Sequence, residues 1–284
     1  MDRRWTHDYL EMNVFCPLAS GSKGNSIFLA TPSTRILIDA GLSPSNIIKR
    51  LEQIGVSIET IQAILITHEH IDHIQGAAAL SEKYNIPLFA NAETAKGILA
   101  IATKKPRFKI FTTGESFLFG DLKIHPFTIP HDTLDPVAFT IITQGLKFGI
   151  CTDLGHVTSS IRKQLEYCDI LYIEANHEPS MVHASARPLI YKTRVLSKQG
   201  HLSNQECAAL IQSILHPQLK HIYLAHLSSE CNSSELALKI IEETVKRLIP
   251  VSIAYQDTIS KEIKFDLEKS VGSFKEGLMA SARS

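Results

Sequence analysis

Seven consecutive residues, Thr67-His68-Glu69-His70-Ile71-Asp72-His73, constrain this chain more than any other feature, because they crowd three histidines and an aspartate into one short stretch. Such a stretch is a compact metal-binding face. The apolar run Ile61-Gln62-Ala63-Ile64-Leu65-Ile66 before it reads as a buried strand, and the residues after it read as a helix. The cluster therefore falls in a loop at a strand end. Alternation along the chain points His68 and His70 the same way, which leaves Asp72 and His73 free to turn toward a second ion. Neutral imidazoles and a carboxylate suit zinc, manganese or iron. The plain alternative is a solvated, histidine-rich loop.

The chain around this motif is large and apolar enough to bury a site. With 284 residues, 44% of them hydrophobic and 20% charged, it can form one large domain or two small ones. Formal net charge is zero, so any nucleic-acid binding has to rely on a local basic patch. Cys16, Cys151, Cys168, Cys207 and Cys231 are widely spaced and contain no CxxC pair. That pattern argues against a disulfide framework or a structural zinc knuckle. No run approaches the ~18 apolar residues of a membrane span, and the first residues contain no apolar signal core, so the expected setting is cytoplasmic. Patterned sequence fills residues 12–266 as one domain, between a polar, disordered leader over 1–11 and a flexible tail over 267–284.

Within that region VFCPLA, SIFLAT and TRILIDAGL read as a meander of three strands, the first two joined by the Gly-rich turn SGSKGN. Ser43 and Pro44 then cap and open a helix through about Gln53. After the motif, a helix over HIQGAAALSEKY, a strand in IPLFAN and a helix in ETAKGILAIAT alternate, before the strands KIFTT and ESFLFG. LKIHPFTIPHD, VAFTIIT and LKFGICTD make the second half β-rich again. ILYIEAN and HIYLAH are further strands. The helix SSIRKQLEY precedes the first of them, and CAALIQSIL, opened by a Ser203–Glu206 capping box, lies between the two. SSELALKIIEETVKRL is a long amphipathic helix, and VSIAYQ and KEIKFD finish the sheets. Residues 177–202 are basic and poorly patterned, as a lid or connector would be.

Further metal-ligand types stand at the ends of predicted strands: His131 after FTIP, Asp153 after GICT and His226 after IYLA. Each alone is an ordinary turn residue or a satisfied histidine. Joined to the motif, they complete a set of seven, His68, His70, Asp72, His73, His131, Asp153 and His226, as a pair of ions with a shared carboxylate requires.

THEHIDH, the later histidine, the TD aspartate and the LAH histidine follow in an order that resembles the metallo-β-lactamase superfamily over about residues 12–266. SGSKGN, LIDAG, HDTLDPVAF, CTDLG, EANHE, GHLSN and LAHLSSECN narrow the resemblance to the bacterial YycJ/WalJ group. The resemblance implies an α/β fold, a four-layer αββα sandwich with the metals at one edge between two sheets, and a nuclease-like phosphodiesterase activity. It also implies that His68, His70 and His131 hold one divalent transition-metal ion and Asp72, His73 and His226 another, with Asp153 between them. Spacing alone does not make that split.

Similarity to tRNase Z-like members implies that Glu174 orients His201, and Asp72, Glu174 and His201 form the expected catalytic set. IEAN and GHLSN replace the tRNase Z strings HEAT and GHST, which weighs against tRNA processing but keeps the pair. Asp39 resembles the aspartate that braces the metal loop from behind, a role that a buried strand-end turn explains equally well. Asn176, His177, Lys192 and Arg194 are expected at the substrate, with His156, Arg187 and Lys198 nearby; the alternative is turn caps and a solvated basic loop.

The expected protein is thus a dinuclear metal-dependent phosphodiesterase acting through a metal-bridging hydroxide, and from the resemblance a 5′-to-3′ DNA exonuclease. Its expected partner is nucleic acid, DNA before RNA, with no membrane contact and no protein partner legible. The alternatives are an RNA-processing nuclease, a thioester or lactam hydrolase on the same metal frame, and a metal-stabilised binding protein without turnover.

Overall fold

Apolar runs that are buried on both faces demand cover on both sides, and this chain supplies it with helices outside and a second sheet inside. The computed structural model describes residues 13–265, so the expected leader 1–11 and tail 267–284 lie outside the described residues. Strands β1 (Asn13–Ala19), β2 (Ser26–Ala30) and β3 (Arg35–Ile38) form the antiparallel meander. Strands β4 (Ala63–Leu65), β5 (Leu88–Ala90) and β6 (Phe108–Ile110) then add in parallel. The second sheet has the same plan. Strands β7 (Phe117–Phe119), β8 (Leu122–Thr128), β9 (Val137–Thr143) and β10 (Leu146–Cys151) are antiparallel, and β11 (Ile170–Glu174), β12 (His221–Ala225) and β13 (Val251–Ile253) follow in parallel. A last strand, β14 (Ile263–Phe265), returns to pair with β1, giving two seven-stranded sheets.

Alternation sorts each strand between two cores. Along β1, Val14, Cys16 and Leu18 face α1 (Pro44–Gln53) and its neighbouring helices, whereas Phe15 faces the other sheet. Along β12, Ile222 and Leu224 meet the helices α5 (Ser159–Leu165), α8 (Asn204–Ile214) and α9 (Ser234–Thr244), and Tyr223 points between the sheets. The fold is an αββα sandwich. Phe15 occupies its middle, stacked on Phe148 at 5.7 Å and within 6.0 Å of the Tyr172 and Tyr223 rings.

The caps form as the sequence requires: Ser43 accepts from the Asn46 N–H ahead of Pro44, and Ser203 with Glu206 makes the capping box. Two elements differ from expectation. The helix after the motif is broken into α2 (Ile71–Ile74) and α3 (Ala77–Tyr84) at Gly76, where a Cβ would come within 2.5 Å of the Leu42 carbonyl. The segment 177–202 holds two helices, α6 (Pro179–Ala184) and α7 (Leu189–Val195). Each is too short to display a helical period, so a proline at each start is their main sequence signal. The remaining helix, α4 (Ala92–Ile101), follows β5. Among the described residues no helix is long and apolar enough to cross a membrane.

Register brings the parallel strands to a common edge. Ile38 pairs with Leu65 at the ends of β3 and β4, Cys151 with Ile173 at the end of β10, and Glu174 with Ala225 at the ends of β11 and β12. Whatever follows those strands is gathered at one rim of the sandwich. Because Phe15 fills the space between the sheets that carry this rim, Phe15→Ala should cost about 3–5 kcal/mol of stability, read from the midpoint of urea denaturation.

Candidate metal centre

The rim residues come from different strands but share an unusual backbone. Asp39, Asp153 and His226 follow β3, β10 and β12 with φ of 60°, 57° and 54°, in the left-handed region that residues other than glycine seldom enter. Each such residue costs on the order of 1 kcal/mol or more and persists only where its surroundings fix it. Those surroundings are polar and buried.

His68, His70 and His131 form one group of converging nitrogens. The Thr67 hydroxyl donates to Asp39 Oδ2 and so accepts from His68 Nδ1–H at 3.0 Å, leaving His68 Nε2 as a lone pair. Burial, reinforced by His73, pushes the His68 imidazole well below its ordinary pKa and keeps it neutral. His131 donates Nδ1–H to the Gly200 carbonyl at 3.2 Å, so its Nε2 faces His70 Nδ1 across 3.3 Å.

Asp72, His73 and His226 form a second group. His73 Nδ1–H donates to Asp39 Oδ2 at 2.8 Å, and His226 Nδ1–H to Glu174 Oε1 at 3.0 Å, so both rings turn Nε2 inward. His226 Nε2 lies 3.6 Å from Asp72 Oδ2 and from Asp153 Oδ1. Burial pulls the His226 imidazole down, but Asp153, Asp72 and Glu174 outweigh it and hold it up at about 10. Asp153 stands between the groups, with Oδ2 3.2 Å from His73 Nε2 and Oδ1 3.7 Å from His131 Nε2.

Three atoms here, His68 Nε2, Asp153 Oδ2 and His226 Nε2, are buried without a hydrogen bond. Unsatisfied polar atoms cost roughly 1–3 kcal/mol each, and cations that take the lone pairs of His68 and Asp153 and displace the proton on His226 Nε2 remove that cost. Imidazole and carboxylate donors in two groups around a shared aspartate make a dinuclear divalent-metal site of the kind that zinc, manganese or iron enters. All seven residues expected at the metals meet in this one cluster.

Glu174 belongs behind it. Fully buried, it accepts His201 Nδ1–H at 2.8 Å and His226 Nδ1–H on Oε1, and the Leu154 and Leu202 N–H groups at 2.7 and 3.2 Å on Oε2. Burial raises this carboxyl, but His201 and His226 overcome that and hold it down at about 2. Its oxygens are fully engaged, so although it lies within reach of a cation cluster it acts on the rings instead. The expected Glu174–His201 contact is present, and its sharing with His226 is an addition that the sequence did not show.

The other expected residues are placed unevenly. Asp39 accepts the Thr67 N–H at 2.9 Å as well as the hydroxyl, which fixes the backbone entering the motif. Asn176 donates to the His226 carbonyl at 2.7 Å, and His177 is buried with Nδ1 unpartnered. Lys192 donates to the His183 carbonyl, Arg194 pairs with Asp132 beside His131, and Arg187 pairs with Glu230. His156 donates to the Lys198 carbonyl. These groups tie segment 177–202 down and do not form a row of free cations. Ser20 and Asn25 of the SGSKGN turn also reach the site, bonding to His226 and Asp72. Nothing in the residues of that turn signals partners this distant in sequence.

Two tests follow from the geometry. Asp153→Asn, a neutral and poorer bridge, should lower metal content from two ions toward one by elemental analysis. A carboxylate held below its unfolded pKa stabilises the fold above that value and loses the contribution as pH falls through the folded value. Glu174 should therefore contribute on the order of 3 kcal/mol at pH 6. The stability gap between metal-stripped wild type and Glu174→Gln in urea should narrow as pH falls from 4.5 toward 2.

The beta-lactamase superfamily domain matches residues 34–226. Exodeoxyribonuclease YycJ of Bacillus anthracis is 32% identical over 234 residues, which cover 82% of this chain and 89% of that protein. Exodeoxyribonuclease WalJ of Streptococcus pneumoniae is 38% identical over 226 residues, 78% of this chain and 83% of that protein. The solved structure of the metallo-β-lactamase fold protein YhfI from Bacillus subtilis shares the fold, with a TM-score of 0.70 at 14% identity over 90% of this chain and 100% of that one. Relatives this similar over most of the chain, on a sandwich whose rim gathers two metal-binding groups, place the protein in the metallo-β-lactamase superfamily, in its YycJ/WalJ-like branch, as a metal-dependent hydrolase.

Proposed function

We propose that the protein is an exonuclease that hydrolyses phosphodiester bonds of DNA, working from 5′ to 3′. The observation that carries this reading is His201, held by Glu174 beside Asp153 at the rim of the metal centre. Acyl hydrolysis on the same frame has no need of an imidazole held on a buried carboxylate at that place. DNA as substrate is supported by the two relatives that are named exodeoxyribonucleases. The polarity follows the resemblance drawn from the sequence.

His68, His70 and His131 would hold one divalent ion and Asp72, His73 and His226 the other, with Asp153 between them, and the ions would supply a nucleophilic hydroxide and neutralise charge on the attacking and leaving oxygens. The chain's own residues do the rest. Asp72 and Asp153 position the cations, with Asp39 and Glu174 holding His73 and His226 from behind. His201, anchored through Nδ1, presents Nε2 to the phosphate. In its protonated form it hydrogen-bonds a nonbridging oxygen and passes that proton to the leaving oxygen. Arg194, half exposed and seated on Asp132, is the basic group best placed to meet a flanking phosphate. Asn176 spends its amide on the His226 carbonyl, so its expected substrate contact does not enter this proposal, whereas Lys192 gives one N–H to the His183 carbonyl and keeps its charge for a phosphate.

His201→Ala should lower turnover of end-labelled DNA about a hundredfold or more while metal content stays at the wild-type level. Glu174→Gln should weaken both turnover and metal retention, because its partner His226 belongs to the metal group. An activated phosphodiester with a good leaving group should restore His201→Ala in part. The same metal-reconstituted protein, offered single- and double-stranded DNA, RNA, a thioester and a lactam, tests the substrate class. Faster cleavage of RNA or of an acyl substrate than of DNA rejects it.

A further inference from the structure

The turn Ser20-Gly21-Ser22-Lys23-Gly24-Asn25 joins β1 to β2 and has no part in the chemistry above. It nevertheless touches all three members of one metal group. Ser20 Oγ accepts the His226 N–H at 2.8 Å. The Asn25 N–H donates to the Asp72 carbonyl at 2.7 Å, and its side-chain Nδ2 lies 3.4 Å from Asp72 Oδ2 and 3.0 Å from His73 Nε2. Among the described residues no hydrogen bond is recorded between this turn and His68, His70 or His131.

The orientation of the Asn25 amide follows from its partners. Oδ1 accepts the Gly21 N–H at 2.8 Å, and a flipped amide would set N–H against N–H, so the NH₂ group must face Asp72 and His73. His73 already donates Nδ1–H to Asp39, and its Nε2, 3.0 Å from that NH₂ group, is the atom it offers to the metal group, so the Asp72 oxygens are the acceptors left to the amide on this side. Asn25 is buried, so water does not substitute for it. Its approach depends on Gly41, where a Cβ would fall 1.6 Å from the Asp72 carbonyl oxygen and 2.7 Å from the Asn25 nitrogen.

We propose that Asn25 is a positioning residue for the ion of the Asp72, His73 and His226 group. Its amide orients the Asp72 carboxylate, and the turn thereby sets the affinity of that ion separately from its neighbour. The proposal rests on assigning those three residues to one ion. Outer partners of metal ligands commonly change metal affinity ten- to a hundredfold.

The test titrates metal-free full-length protein with zinc against a competing chelator. The ion weakened by Asp72→Asn defines the site. Asn25→Ala should lower the affinity of that same ion about ten- to a hundredfold and leave the other unchanged. In an Asp72→Ala background, where no side-chain oxygen is left for the amide to orient, Asn25→Ala should cause no further loss, as coupled residues do. Asn25→Ser keeps an oxygen but removes the amide donor, so it should give the same pattern if Ala loosens the turn. Equal weakening of both ions, or an undiminished loss in the Asp72→Ala background, overturns the proposal. If Asp72→Asn itself weakens neither ion, the ligand assignment falls and takes the proposal with it. If Asp72→Asn weakens one ion and both Asn25 variants bind like wild type, the assignment stands and only the proposal fails.

Discussion

Buried carboxylates facing imidazoles are the interaction on which this site depends. A carboxylate taken out of water costs several kcal/mol unless it is paired and hydrogen-bonded. Asp39, Asp153 and Glu174 are all buried, and each meets that demand differently. Asp39 accepts from the Thr67 backbone and hydroxyl and from His73. Glu174 accepts from two backbone N–H groups and two rings. Asp153 has Oδ2 left without a hydrogen bond, so it is the member of the trio whose surroundings call for a cation.

That division is set by the sheets. Parallel pairing levels the ends of β3 with β4 and of β10 with β11 and β12, so residues far apart in sequence arrive at one height. Left-handed conformations at Asp39, Asp153 and His226 then turn the chain sharply at those ends. Short polar Asp side chains tolerate such a backbone better than most. His226 does so with its N–H on Ser20 and its carbonyl on Asn176. The strain is local and the bonds that hold it are many, as at other sites where backbone strain is used for positioning.

Much of this was legible in the residues. The period of the strands and the caps at Ser43 and Ser203 marked the elements, the ligand types at strand ends marked the members of the cluster, and the family resemblance supplied the four layers. Residues whose partners are distant in sequence were not legible. Asn25 lies 47 positions from Asp72, and only the pairing of β3 with β4 and the close pass at Gly41 bring them together. Glu174 was paired with His201 through the family resemblance, yet its second bond, to His226, depends on the parallel register of β11 and β12. The basic residues of 177–202 looked like a surface for phosphate because sequence shows charge but not the counter-charge. Asp132 and Glu230, which neutralise Arg194 and Arg187, lie 62 and 43 positions away.

The same counter-charges bear on the proposed substrate, a polyanion that a chain with no net charge would have to admit. Asp39, Asp72, Asp153 and Glu174 place four negative charges at the rim, a field that by itself repels phosphate. Two divalent ions cancel those four charges, and Arg194 cancels a fifth on Asp132 beside His131. For the nucleic acid proposed as substrate, attraction would then reside in the metal centre and need no broad basic face. Binding of the ions and binding of an anionic substrate become thermodynamically linked, each raising the affinity of the other by the same factor. A side chain that tunes one ion, as proposed for Asn25, therefore acts on the substrate without touching it.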